Sequence, residues 1–237
     1  MRQADSLPVA ELLDQLESFH GTQEANWPTG PYLFLVWWHC GYPASDDACA
    51  KGWDSLKREV GVEPDQLLGA PSPVLSAALK PGGMVPELRA MRLKEVAARV
   101  KDQLGGDLRT ALVGSVAAAR KELKKFPGIA DPGVDRILLF GRIAPVAAIP
   151  SNCPHVVVRI QHGQERESYG VTYREAQQAI EAEVPGTFDA RSRAYLLLKH
   201  HGQTICKRAK PKCPECPVSL SCSFFAGKRR GRSSPSR

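Results

Sequence analysis

The chain has 237 residues, 43% of them apolar and 24% charged, with a formal net charge of +7. That length and composition exclude a disordered polymer and leave room for one large domain or two small ones. The apolar runs at 32–38 and 137–149 (the latter interrupted by Arg142) fall short of the ~20 residues a membrane helix needs. Residues 1–16 lack the basic start and apolar run of a secretion signal, so a soluble, cytoplasmic protein is expected. A basic excess favours polyanions by releasing their counterions. Here Lys228, Arg229, Arg230, Arg232 and Arg237 lie in the last ten residues, and removing those five from +7 leaves +2.

Taken in chain order, helical periodicity dominates and no run alternates as a strand does. Helices are predicted over 48–60, 88–104, 111–126, 134–142, 173–183 and 190–201. Between them stand Pro71 and Pro73, Pro81-Gly82-Gly83, Gly105-Gly106, Pro127-Gly128, Pro145 and Pro185-Gly186, all chain breakers. The pattern is all-α with short loops. Residues 227–237 are basic and rich in Ser, Gly and Pro, which predicts a disordered tail.

The segment 123–132 joins two of these helices. Pro127 and Gly128 end the first, and Gly128 is free to take φ > 0. Asp131 suits an N-cap, and Pro132 suits the first position of the next helix. A tight turn opening a helix leaves N–H groups that can hold a phosphate. Lys121, Lys124 and Lys125 precede the turn. A plain helix–turn–helix with a solvated lysine face fits the same residues.

The cysteines are at 40, 49, 153, 206, 213, 216 and 222. An odd count with four of them crowded near the C-terminus does not resemble a secreted disulfide framework. Pro211, Pro214 and Pro217 keep the segment between Cys206 and Cys222 out of a helix. Thiolates are soft ligands, suited to zinc or to iron–sulfur clusters. Structural zinc sites use two close Cys pairs. Here only Cys213 and Cys216 are such a pair, and the outer cysteines stand off, as if wrapped around something larger than one ion.

This spacing and its lead-in, His201-Gly202-x3-Cys206, resemble the C-terminal cluster loop of endonuclease III, in the helix-hairpin-helix DNA glycosylase superfamily. The match runs without gaps from His201 to Cys222 and includes Pro211. The segment Phe126-Pro127-Gly128-Ile129-Ala130 resembles the family's Leu-Pro-Gly-Val-Gly hairpin, with Ala130 for the last glycine, which costs most if that position needs φ > 0. Residues 31–56 align without gaps, and Arg159 with the apolar residues before it fits a further family helix. The resemblance covers about residues 30–225.

It implies an all-α, two-lobed fold with a DNA cleft between the lobes. One lobe, residues 31–143, carries the hairpin. The other combines 1–30 with 144–226 and holds a [4Fe–4S] cluster on Cys206, Cys213, Cys216 and Cys222. Double-stranded DNA, damaged or deformed, is the expected partner, contacted by Lys124, Lys125, Pro127, Gly128, Ile129 and Ala130, mostly without sequence readout. A nucleoid-associated monomer is the default expectation.

The same resemblance implies that the family's chemistry is missing. Its reacting lysine falls on Pro132, its aspartate on Pro150, the glutamate of the adenine-specific branch on Trp38, and its gap-filling glutamine on Pro43. Proline offers neither a nucleophile nor a side-chain hydrogen bond. A one-residue shift would bring in Asp131. His39, Tyr42, Cys40 and Cys153 are candidate pocket residues, each better suited to an ordinary core role, and Asn152 and His155 could hydrogen-bond a flipped base although nothing in the sequence demands it. Trp37 and Trp38 suit the core. Three functions follow as expectations: a base-excision-repair-type DNA binder without Schiff-base lyase activity, a monofunctional glycosylase using other residues, or a metal-stabilised interaction module that does not bind DNA.

Overall fold

The computed structural model describes residues 7–232, with the backbone alone from 228 on. All regular structure among the described residues is helical. None of the described helices is long and apolar enough to cross a membrane. The chain divides into two compact units: an inserted unit, residues 26–143, and a terminal unit formed by the residues to 25 and from 144 on.

In the terminal unit, α1 (Val9–His20) buries Val9, Leu12, Leu13 and Leu16, one stripe at helical spacing. Arg193 of α12 (Phe188–Thr204) ties it down through Asp14, at 2.8 Å, and Glu17, at 2.7 Å. α10 (His155–His162) and α11 (Tyr169–Glu183) complete the core, and α10 is buried along most of its length. α13 (Ser223–Arg232) begins with Ser223 bonded to the Gln161 carbonyl at 3.1 Å, while Phe224 and Phe225 pack on the core. That anchored first turn carries the helix through 227–232, which composition assigns to a tail; residues 233–237 lie outside the described range.

In the inserted unit, α2 (Pro31–His39) starts with proline at its first position and is apolar all round, so it sits buried on nearly every face. α3 (Asp46–Glu59) starts two residues before the expected 48, because Ser45 caps it by accepting the Ala48 N–H. α4 (Pro64–Gly69) and α5 (Ser72–Leu79) fill the stretch of prolines. α6 (Pro86–Ala98) runs on into a π-helical turn at Arg99–Gln103 and stops at Gly105 and Gly106, both at positive φ. The expected helix over 111–126 is two helices. α7 (Leu108–Ala111) ends, Gly114 turns the chain at φ 114°, and Ser115 caps α8 (Val116–Leu123) through the Ala118 N–H. α9 (Asp131–Phe140) buries every residue from Gly133 on.

A buried cation organises this unit. Arg89, 2% exposed, donates from Nε to the Met84 carbonyl at 3.0 Å and from Nη2 to those of Leu79 at 3.0 Å and Gly83 at 2.6 Å; Nη1 bonds the Cys40 carbonyl. Gly52 and Gly82 crowd that last oxygen, for a Cβ on either would stand 2.3 or 1.7 Å from it. The end of α2, the middle of α3 and the 79–84 turn therefore meet at one point.

Candidate functional site

Between α8 and α9 the chain makes a tight turn. Phe126 and Ile129 are buried and plug its base, and Gly128 takes φ 66° at its exposed tip. Ala130 is extended at φ −111°, ψ 179°, so the alanine is unstrained where a left-handed residue was the concern. It is also the N-cap: Asp131 is the first helical residue, not the cap, and Pro132 the second. The correction follows from that extended Ala130, which lets the helix begin one residue early, while Pro132 lacks only an N–H that has no partner there anyway.

The turn's cations are partly neutralised. Lys124 Nζ lies 2.6 Å from Asp131 Oδ1, and Lys125 Nζ 2.7 Å from Glu122 Oε2, all but Glu122 substantially exposed. Asp131 thus has the setting of a surface ion pair. Arg92, which sequence reasoning did not single out, lies against the turn, its Nη1 3.4 Å from where a Cβ on Gly128 would be.

Beneath the turn sits His39, 3% exposed. Its imidazole bonds the Pro127 carbonyl, and its Nε2 is buried without a hydrogen-bond partner. Burial, then the charges of Arg92 and Arg89, hold its pKa down at about 4 against the opposing Pro127 bond, so the ring is neutral. Trp38 is core, as expected, and stacks on half-buried Tyr42 with ring centroids 3.8 Å apart; its Nε1 is also unpartnered. Pro43 is exposed beside this pair. The 83–85 loop lies next to Ala44. There Met84 is 85% exposed and Val85 takes φ 51°, a left-handed conformation unusual for a β-branched residue. Arg89 holds this apolar tip in place, an arrangement with no local sequence signal beyond Gly-Gly before and Pro after.

In the terminal unit, Pro150 is buried and its carbonyl accepts the Cys153 N–H at 2.9 Å. Asn152 is exposed on the same turn, which Tyr169 braces through the Ser151 carbonyl at 3.0 Å. His155 is no base reader. Its Nε2 donates to the Cys206 carbonyl at 2.7 Å, so it pins the cysteine loop instead. Cys153 is buried against Gly202, and Cys40 and Cys49 are buried in the inserted unit.

Arg159 pins the loop further, bonding the carbonyls of Lys207 at 3.2 Å and Arg208 at 2.9 Å while pairing with Glu165 at 2.6 Å. Cys206, Cys213, Cys216 and Cys222 line one cavity, walled by apolar residues such as Ile160 and Phe224. Burial, with the neighbouring thiols adding, pushes Cys216 up to about 11 and Cys222 upward; burial pushes Cys206 up to about 12 although Arg159 opposes it. Among the described residues no group of three or more His, Cys, Asp or Glu side chains is arranged to hold a metal ion. A tetrahedral zinc would need its sulfurs all about 2.3 Å from one point. Four soft donors around a shared apolar cavity are a donor set that a sulfur-ligated iron cluster would fit, and its cationic irons would keep as thiolates the groups that burial alone protonates.

No family model matches the chain. Endonuclease III of Thermotoga maritima is 25% identical over 204 residues, covering 86% of this chain and 87% of that protein. A non-covalent endonuclease III–DNA complex superposes with a TM-score of 0.75 at 17% identity, covering 94% of this chain and 97% of the other. A thermostable thymine-DNA glycosylase gives 0.71 at 21% identity over 92% and 97%. The sequence similarity therefore runs through both units, and this chain is similar to endonuclease III in sequence and shares its all-helical fold.

Proposed function

We propose that this protein binds damaged or deformed double-stranded DNA and lacks the Schiff-base lyase chemistry of its relatives. The observation that carries the reading is an unstrained hairpin, with Gly128 left-handed and Ala130 extended, on a chain with prolines at 132 and 150. The first N–H groups of α9 and the backbone of Gly128 and Ile129 would take a phosphate, with Lys124, Lys125, Pro127 and Ala130 around it and Arg92 alongside. The endonuclease III–DNA complex among the similar structures supports duplex DNA as the partner. Met84 would add an apolar contact to the bases of a deformed duplex.

The proposal extends to a [4Fe–4S] cluster on Cys206, Cys213, Cys216 and Cys222. Bound there, it would stabilise the loop, which has little apolar content of its own. Anaerobically purified protein should then be brown with four irons per chain, and Cys213→Ser colourless; one zinc and no iron would overturn that part.

A monofunctional glycosylase is the second reading, and buried His39 with its unpartnered Nε2 favours it. Three assays separate the readings. Duplex binding should be steeply salt-dependent, with a log–log slope of roughly −3 if three or four phosphates are engaged, and should persist after deletion of 228–237. Borohydride on abasic DNA should trap no cross-link above a basic, non-enzymatic control. Release of a base from a panel of damaged duplexes would select the second reading, and salt-independent or absent binding would reject both in favour of an interaction module.

A further inference from the structure

The cysteine loop is reached by a chain of imidazoles. His201, on α12, is fully buried, and its Nε2 lies 3.5 Å from Cys216 Sγ. Its Nδ1 lies 3.0 Å from Nε2 of His20, the last residue of α1. His20 is half-buried and stands edge-on to His200, ring centroids 4.7 Å apart, and to Phe19, at 4.8 Å. We propose that His20 and His201 form a relay that delivers an N–H to the Cys216 sulfur and so sets the reduction potential and air stability of the cluster. The inference rests on the reading that the four cysteines hold that cluster.

The direction of the bonds follows from chemistry. His201 is fully buried, and its two ring nitrogens face a sulfur and another imidazole, a setting that suits one N–H and one lone pair. An iron-bound thiolate has no proton and can only accept. The N–H of His201 must therefore be on Nε2, facing the sulfur, and Nδ1 must accept. His20 then donates to it from Nε2, and that donation holds His201 in the required tautomer. The opposite tautomer would set a nitrogen lone pair against the sulfur and an N–H against the His20 ring. A hydrogen bond to a cluster sulfur draws charge from it and stabilises the reduced state, raising the potential. His20 is a positioning residue here, acting through His201.

The test uses full-length, anaerobically purified protein labelled with 15N-histidine. In the iron-loaded wild type, the 15N shifts should give a protonated Nε2 and a bare Nδ1 for His201. His201→Leu should keep four irons but show a lower midpoint by protein-film voltammetry and several-fold faster bleaching in air. His20→Leu should shift both in the same direction by less. If His201→Leu does not fold, His20→Leu decides alone, since its site is half-buried and accepts an apolar side chain. Wild type with four irons whose potential and bleaching match those of both variants overturns the relay, and so does an Nδ1–H tautomer. Wild type without iron overturns the cluster reading and the relay with it.

Discussion

Replacing Arg89 by methionine keeps most of its volume but removes the guanidinium that joins the carbonyls of Cys40, Leu79, Gly83 and Met84. A hydrogen bond to a charged donor contributes about 1.5–3 kcal/mol, and a buried carbonyl left unpaired costs about 1–3 kcal/mol. The bonds to Cys40 and Leu79 are buried, so those two oxygens take the full penalty, whereas those of Gly83 and Met84 are partly buried and recover water. Against this, the substitution relieves the desolvation of a buried cation. The expected net loss is about 3–5 kcal/mol, a large share of the ~5–15 kcal/mol of a whole domain. Urea unfolding followed by circular dichroism should show it, together with early proteolysis near residues 79–86. Arg89→Lys offers a point charge where a planar fork is needed and should recover only part of the loss. A loss below about 1 kcal/mol for Arg89→Met would refute the view that this cation organises the inserted unit.

Val85 sits at φ 51°, where a non-glycine residue is strained by about 1–2 kcal/mol, so Val85→Gly should leave stability unchanged or raise it slightly in the same urea assay. His39 has a folded-state pKa of about 4, below its unfolded value of about 6.5. The unfolded chain thus binds the extra proton, and the stabilisation is full above pH 6.5 and lost as the pH falls towards 4. Between pH 7.5 and 5.5 His39 should account for a loss of about 1 kcal/mol that is missing in His39→Gln, as read from urea midpoints at the two values.

What the sequence disclosed was local. Pro127-Gly128 and the spacing from Cys206 to Cys222 are read within a few residues, as are the stripes of α3, α6, α11 and α12. α2 escaped because an all-round apolar run has no helical stripe to count, and residues 111–126 were merged because Gly114-Ser115 was not weighed as a stop followed by a cap. The long-range contacts were out of reach. Nothing near Arg89 names Cys40 as its acceptor, nothing near His39 names Pro127, and nothing at His155 names Cys206. Each links residues whose proximity exists only once the helices have packed. Such contacts decide whether a polar residue serves the scaffold or stays available, which is why His155 looked like a base reader and pins a loop.

The two prolines differ in how readily they could be reversed, and that difference gives a direct test of the catalytic reading. Pro132 is the second residue of α9 and half-buried. A lysine there regains an N–H at a helix start, where an unpaired donor is ordinary, and gives up only the stiffness of proline in the unfolded chain, about 1 kcal/mol. Pro150 is buried, with its carbonyl committed to the Cys153 N–H. An aspartate there must bury a carboxylate or stay protonated, and a neutral acid cannot stabilise a developing positive charge. Pro132→Lys should therefore fold at near-native stability, and Pro150→Asp should lose several kcal/mol by urea unfolding. Pro132→Lys alone should yield a borohydride-trapped adduct on abasic DNA above the wild-type background, mapped by peptide mass to residue 132. It should remain a slow reaction, because nothing supplies the aspartate's charge. Adduct no greater than that of the unmodified protein, from a variant that folds and binds DNA normally, would show that position 132 does not meet the sugar and that the alignment placing the reacting lysine there is wrong.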